Sequence, residues 1–156
     1  MRVLDIIEGT VVDGVGLRTS IYFAGCTHHC PGCHNPQSWN PDNGHEMSVD
    51  EILEQVREYG LNVTFSGGDP LMQIDNGLLH LANRIHSLGL NIWCYTGYTI
   101  EEIEANDSLR RIFDAVDVIV EGRYVSALRD IHLPFRGSSN QRIVESKTRK
   151  NISPAF

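Results

Sequence analysis

The sequence predicts an α/β fold, a parallel sheet with crossover helices that forms an open or partial (β/α) barrel in one domain spanning residues 1–156. Three observations carry this expectation. Strand-like and helix-like segments alternate, as parallel strands joined by right-handed crossovers require. Two capping boxes mark helix starts. The loops carrying Cys26, Gly67 and Gly97 each follow a predicted strand, and the carboxyl ends of parallel strands share one edge, where ligands bind. The repeating units are too few to close an eight-stranded barrel.

Each element has a local cause. Thr19–Ala24 is rich in strand formers and ends at Gly25. An irregular stretch then runs to about Gly44 with three cysteines, three prolines and two glycines, a length of loop that is usually functional. Ser48-Val49-Asp50-Glu51 is a capping box, and Ile52, Leu53, Val56 and Tyr59 fall on one helical face before Gly60 stops the helix. Asn62–Phe65 reads as a short strand leading into Ser66-Gly67-Gly68-Asp69-Pro70. A second helix is expected from about Asn76 to Leu88, with Leu78, Leu79, Ala82 and Ile85 inward and Gly89 as its stop. Asn91–Tyr95 is a further strand, Thr99-Ile100-Glu101-Glu102 caps another helix, and Val116–Val120 is strand-like again.

Composition restricts the function classes. The 156 residues are 41% apolar and 21% charged, ordinary for a globular protein that buries its own core. No run approaches the length of a membrane span, the first residues lack the apolar core of a signal peptide, and the cytoplasm is the expected location. The net charge of −7 argues against nonspecific nucleic-acid binding. It is unevenly distributed: residues from Gly122 onward carry +5 and the preceding part −12. That basic tail suits either an anionic ligand or acidic partner, or simple solvation.

Three of the four cysteines lie in Gly25-Cys26-Thr27-His28-His29-Cys30-Pro31-Gly32-Cys33-His34, with spacing Cys-x3-Cys-x2-Cys. Clustered thiols in a cytosolic chain point to metal or redox chemistry rather than disulfides. Two donor chemistries remain open from the cysteines alone. One is a [4Fe–4S] cluster with three local thiolates, its fourth iron ligated by Cys94 or left open. The other is zinc held by these thiols plus His28, His29, His34 or Cys94, stabilising a binding module.

The cysteine triplet after one strand and Gly67-Gly68-Asp69-Pro70 after the next resemble the radical S-adenosylmethionine superfamily. Asp13-Gly14-Val15-Gly16-Leu17-Arg18 is similar to a stretch of the glycyl-radical-enzyme activases. Trp39-Asn40, Tyr95-Thr96-Gly97-Tyr98, Val120-Glu121-Gly122-Arg123-Tyr124 and Phe135-Arg136-Gly137-Ser138-Ser139-Asn140-Gln141-Arg142 resemble segments of activating proteins of anaerobic ribonucleotide reductase. The resemblance covers nearly the whole chain. It implies a partial barrel of the radical S-adenosylmethionine type and a [4Fe–4S] cluster on Cys26, Cys30 and Cys33. It also implies S-adenosyl-L-methionine bound at the open iron and against Gly67, Gly68 and Asp69. The implied partners are the catalytic subunit of the reductase, as the protein substrate, and an electron donor such as a flavodoxin.

Two residues depart from the superfamily pattern. The aromatic commonly found before the third cysteine is Gly32, so His34, with the backbone of Gly32 and Cys33, is expected to take the adenine contact. The acidic residue of the glycine turn is Asp69 rather than Glu. Cys94 reads as a buried, inert thiol, Trp39 as packing for the cysteine loop, and His28 and His29 as exposed loop residues. Arg136 or Arg142 suits a carboxylate or a partner surface, and equally suits solvent. Within the superfamily, a small-molecule enzyme such as a deazaguanine-forming synthase is the rival reading.

Overall fold

The central strands carry two unlike faces, and this alternation sets the architecture. Side chains point alternately to opposite sides of a strand. Thr19, Ile21 and Phe23 share one side with Val63, Phe65, Ile92, Cys94 and Ile119. Arg18, Ser20, Tyr22, Thr64, Trp93, Tyr95, Val118 and Val120 share the other. The computed structural model describes residues Met1–Phe156. Its strands are β1 (Arg2–Thr10), β2 (Arg18–Phe23), β3 (His45–Glu46), β4 (Asn62–Gly67), β5 (Ile92–Tyr95), β6 (Val118–Glu121) and β7 (Arg142–Glu145). Its helices are α1 (Val49–Tyr59), α2 (Leu78–His86), α3 (Ile100–Glu104) and α4 (Asp107–Asp114).

The seven strands form one open sheet in the order β3-β1-β2-β4-β5-β6-β7. Strands β2, β4, β5 and β6 are parallel, as expected from the crossover pattern. The flanks correct that expectation: β1 runs antiparallel to both β2 and β3, and β7 antiparallel to β6. The connections give the reason. β1 and β2 are joined by a short loop and β6 and β7 by a segment without an α-helix, and neither supplies the crossover that parallel neighbours need.

All four helices pack on one side of the sheet. Ile52, Leu53 and Val56 of α1, Leu81, Ala82 and Ile85 of α2, Ile103 of α3 and Ile112 and Phe113 of α4 join Ile21, Phe23, Phe65 and Ile92 in a single buried cluster. The capping boxes form as read: Ser48 accepts from the Glu51 N–H and Thr99 from the Glu102 N–H, and the Ser48 and Thr99 N–H groups donate back to the glutamate carboxylates. Two helix readings change. Residues Pro70–Asn76 wind as a 3-10 helix, so α2 begins only at Leu78. The helix opened by Thr99 breaks after one turn because Asn106 caps a new one, accepting from the N–H groups of Ser108 and Leu109 at 3.0 and 3.1 Å. No helix is long and apolar enough to cross a membrane.

The opposite face holds a small cluster of Trp93, Val118, Val120 and Ile143 and, at the β2 entry, Arg18, only 1% exposed. Its guanidinium donates to Thr64 Oγ1 (2.8 Å), to the carbonyls of Val15 (3.0 Å) and Val63 (2.7 Å), and to Asn91 Oδ1 (2.8 Å). No carboxylate pairs with it, and burial pulls its pKa down to about 10. The Asp-Gly-x-Gly-x-Arg stretch thus contributes a structural clamp across β2, β4 and β5. Arg18→Met is expected to lose about 3 kcal/mol of stability, since several buried acceptors lose their donor together. Urea unfolding of the two proteins measures this.

Candidate functional site

The site is assembled by backbone packing between loops at the carboxyl ends of β2, β4 and β5. The cysteine loop folds back on the turn after it, with Gly25 N–H donating to Ser38 O (2.7 Å) and Cys26 N–H to Trp39 O (3.2 Å). The glycine turn docks on the same loop: Gly68 N–H donates to Phe23 O and Asp69 N–H to Gly25 O, both at 2.8 Å. A Cβ on Gly67 would lie 2.4 Å from the Phe23 backbone, and one on Gly68 would lie 2.4 Å from Gly25 O. Both glycines are therefore required by loop-on-loop contact, in addition to whatever they present to a ligand.

Asp69 ties the loops together. It is 1% exposed. Its Oδ1 accepts from the Leu71 N–H (3.0 Å), and its Oδ2 from the Gly97 N–H (3.0 Å). The Thr96 hydroxyl reaches both oxygens, at 3.1 and 2.8 Å. His28 Nε2 lies 2.8 Å from Oδ2; a carboxylate only accepts, so this nitrogen carries the ring proton. The His28 side chain is 5% exposed and sits edge-on to Tyr98 at 4.6 Å. A Cβ on Gly97 would lie 2.4 Å from its ring. The expectation of an exposed His28 is corrected: it is a strut between the cysteine loop and the turn after β5. His29 stays exposed and stacks on Trp39 at 4.7 Å, which gives Trp39 the packing role expected of it.

A cleft of about 180 Å³ opens where these loops meet. Cys26, Cys30 and Cys33 line it together with Gly67, Gly68, Gly97, Tyr95, Val120, Tyr124 and Gln141. The Asp69 side chain points away into its own hydrogen bonds. All four cysteines are free thiols. Burial pushes the Cys26 thiol up. Cys94 lies on the helix side in the main core, fully buried, and burial holds its pKa well above the usual thiol value. The fourth cysteine is thus outside the cleft.

The departure at Gly32 has a steric reason. A Cβ there would lie 2.3 Å from Ser126 Oγ and 3.6 Å from the Tyr124 ring. Ser126 is itself anchored, donating to Pro31 O at 2.7 Å. Tyr124, in the segment after β6, lines the cysteine cleft, while His34 is exposed, packs against Tyr124 at 5.0 Å, and lines a neighbouring cleft. Sequence reading missed Tyr124 as a site residue because nothing local connects position 124 to position 32.

Three of the tail's seven basic residues pair with carboxylates inside the molecule. Arg123 pairs with Glu102, Arg142 with Glu101 and the buried Glu121, and Arg149 with Glu104 and Asp114. The Gln141 amide donates to Gly122 O (2.9 Å) and accepts from the Gly137 and Ser138 N–H groups. Residues 137–142 therefore brace the cleft wall built by Gly122 and Tyr124.

A three-thiol cleft lies at the ligand edge of an open α/β sheet, and a family model described as a 4Fe-4S single cluster domain matches residues 12–144, which makes this an iron–sulfur protein. The anaerobic ribonucleoside-triphosphate reductase-activating protein of Salmonella typhimurium is 37% identical over 140 residues, covering 84% of this chain and 90% of that protein. Its namesake in Haemophilus influenzae is 32% identical over 156 residues, covering 92% and 97%. That of Enterobacteria phage T4 is 34% identical over 141 residues, covering 85% and 86%. The chain belongs to the family of anaerobic ribonucleoside-triphosphate reductase-activating proteins. Membership in this family, rather than the thiols, selects the activase over the deazaguanine-forming synthase and the zinc-stabilised module.

Replacing Asp69 with Asn swaps an acceptor for a donor facing N–H and O–H groups. Asp69→Asn is expected to cost about 2 kcal/mol and to speed amide exchange at Gly97 and Leu71 more than in the core strands. Urea unfolding and site-resolved hydrogen exchange measure both; unchanged exchange at Gly97 would remove Asp69 from its organising role.

Proposed function

We propose that the chain, acting as one domain, holds a [4Fe–4S] cluster on Cys26, Cys30 and Cys33. It reductively cleaves S-adenosyl-L-methionine and so generates a glycyl radical on the catalytic subunit of anaerobic ribonucleotide reductase. The observation that carries this is the shared cleft: three free thiols and the main chain of Gly67 and Gly68 open into one space. Family membership supports the reaction, and the open sheet with its helices on one side is consistent with a partial barrel of the radical S-adenosylmethionine type.

The donor set fits the group. A cubane needs four ligands, the cleft offers three thiols, and the fourth thiol lies in the core. One iron is then free for a second ligand, as in metal sites that react. When bound, the cluster supplies one electron to the sulfonium, releasing methionine and a 5′-deoxyadenosyl radical that takes a hydrogen atom from a glycine of the partner.

The chain's own residues bind, orient and shelter. Gly67 and Gly68 present main chain without side chains, suited to close approach by the cofactor's ammonium group. Val120 and Tyr95 supply apolar walls that reduce water beside the cluster, and Tyr124, with His34 behind it, supplies an aromatic face for the adenine. His28 and Asp69 position the loops, and no side chain is assigned as a general acid or base. A one-electron donor of the flavodoxin class is needed to reduce the cluster.

Anaerobic reconstitution with iron and sulfide should give about four irons per chain by cubane stoichiometry. Cys30→Ala should lose the cluster, whereas Cys94→Ala should keep it. The paramagnetic resonance signal of the reduced cluster should change on adding S-adenosylmethionine. Tight stoichiometric zinc without iron uptake, or a signal indifferent to S-adenosylmethionine, would overturn the proposal.

A further inference from the structure

Tyr124 stands in a slot made by two glycines. A Cβ on Gly32 would lie 3.6 Å from its ring, and a Cβ on Gly137 would lie 3.1 Å from it. A side chain at either position would displace the ring from the cleft wall. Gly32 belongs to the cysteine loop and Gly137 to the segment that returns after β6. The width of the slot is therefore set by how these two pieces of chain sit against each other.

On its far side the stretch that carries Tyr124 is held at several points. Gly122 O accepts from the Gln141 amide (2.9 Å) and Arg123 O from the Asn140 amide (2.8 Å). Val125 N–H donates to the Ser138 hydroxyl (3.1 Å), and Ser139 N–H donates to Leu128 O (2.9 Å). Toward the cysteine loop it makes one hydrogen bond, from Ser126 Oγ to Pro31 O at 2.7 Å. Val125 is extended, with φ −121° and ψ 110°, so Tyr124 and Ser126 leave the chain on one side. Both meet position 32. Pro31 lies in the turn that Cys33 N–H closes on Cys30 O at 3.0 Å. The serine thus grips the turn that carries two of the three thiols.

We propose that Ser126 is a positioning residue for the cofactor: its bond to Pro31 O fixes the Tyr124 ring relative to the Cys30–Cys33 turn, so that the adenine face and the thiols stand at one spacing before the cofactor arrives. The inference rests on the function given above and adds what sets the adenine wall. Ser126 is exposed and does not line the cleft, so it acts through Tyr124. A wall already in place spares the cofactor the cost of ordering it, and this spared cost appears as tighter binding.

The test uses the reconstituted protein without the reductase and follows the paramagnetic resonance signal of the reduced cluster as S-adenosylmethionine is added. Ser126→Ala, Ser126→Thr and Tyr124→Leu should each take up about four irons per chain, as wild type does. Ser126→Ala should raise the S-adenosylmethionine concentration for half-maximal change about fivefold. Ser126→Thr, which keeps the hydroxyl, should stay within about twofold of wild type. Tyr124→Leu should raise that concentration about tenfold by removing the aromatic face. Adding Ser126→Ala to Tyr124→Leu should then raise it by less than about twofold more. This non-additivity marks a residue that acts through Tyr124; a generally loosened loop would give the same loss in both backgrounds. Half-saturation unchanged in Ser126→Ala or in Tyr124→Leu overturns the inference. So does an equal loss in both backgrounds, or a Ser126→Ala protein that cannot hold the cluster. A wild-type signal that changes with S-adenosylmethionine keeps these failures separate from failure of the function. A wild-type signal indifferent to it overturns both.

Discussion

A buried carboxylate holds the functional end of this protein together. Asp69 accepts from two backbone N–H groups, one threonine hydroxyl and the His28 ring. Those donors come from three segments far apart in sequence, so satisfying one side chain fixes the cysteine loop, the glycine turn and the turn after β5 relative to each other. Leaving a buried carboxylate unsatisfied costs more than its bonds contribute when made, and that asymmetry gives the junction its rigidity. The thiols can then stay half-exposed in a cleft while the loop that carries them is anchored from behind.

The second organising constraint is the division of the sheet into two faces. The helix side is continuous hydrocarbon and takes Cys94 with it. The other side is mixed, with the Arg18 clamp at one end, Trp93 and the small cluster in the middle, and Tyr95 at the ligand edge. With all four helices on one side, the opposite side is free to receive loops, and the segment from Gly122 onward fills that space. Stability and chemistry are thereby assigned to different surfaces of the same strands.

That returning segment also accounts for the charge asymmetry. Arg123, Arg142 and Arg149 neutralise acidic residues of α3 and α4, and the Arg123–Glu102 pair is two-pronged, the geometry that gives arginine its directional preference. Exposed pairs of this kind add little stability singly. Their consequence here is positional, because they hold Tyr124 and Gln141 against the cysteine cleft.

By itself, the sequence determined what is local. The Ser48–Glu51 and Thr99–Glu102 boxes, the four parallel strands, the thiol spacing and the glycine turn were all legible, since each depends on residues a few positions apart. The tertiary structure alone decided what depends on distant partners. The flanking strands β1 and β7 run antiparallel to their neighbours β2 and β6 because the connections lack helices. His28 becomes a strut only because Asp69 meets it across 41 positions. Position 32 must be glycine because Ser126 and Tyr124 occupy the space above it, and Arg136, unlike Arg142, is left without a carboxylate by the path of the chain. The spacing of the three cysteines is written in the sequence; which residues share their cleft is fixed by packing between segments that sequence order does not bring together.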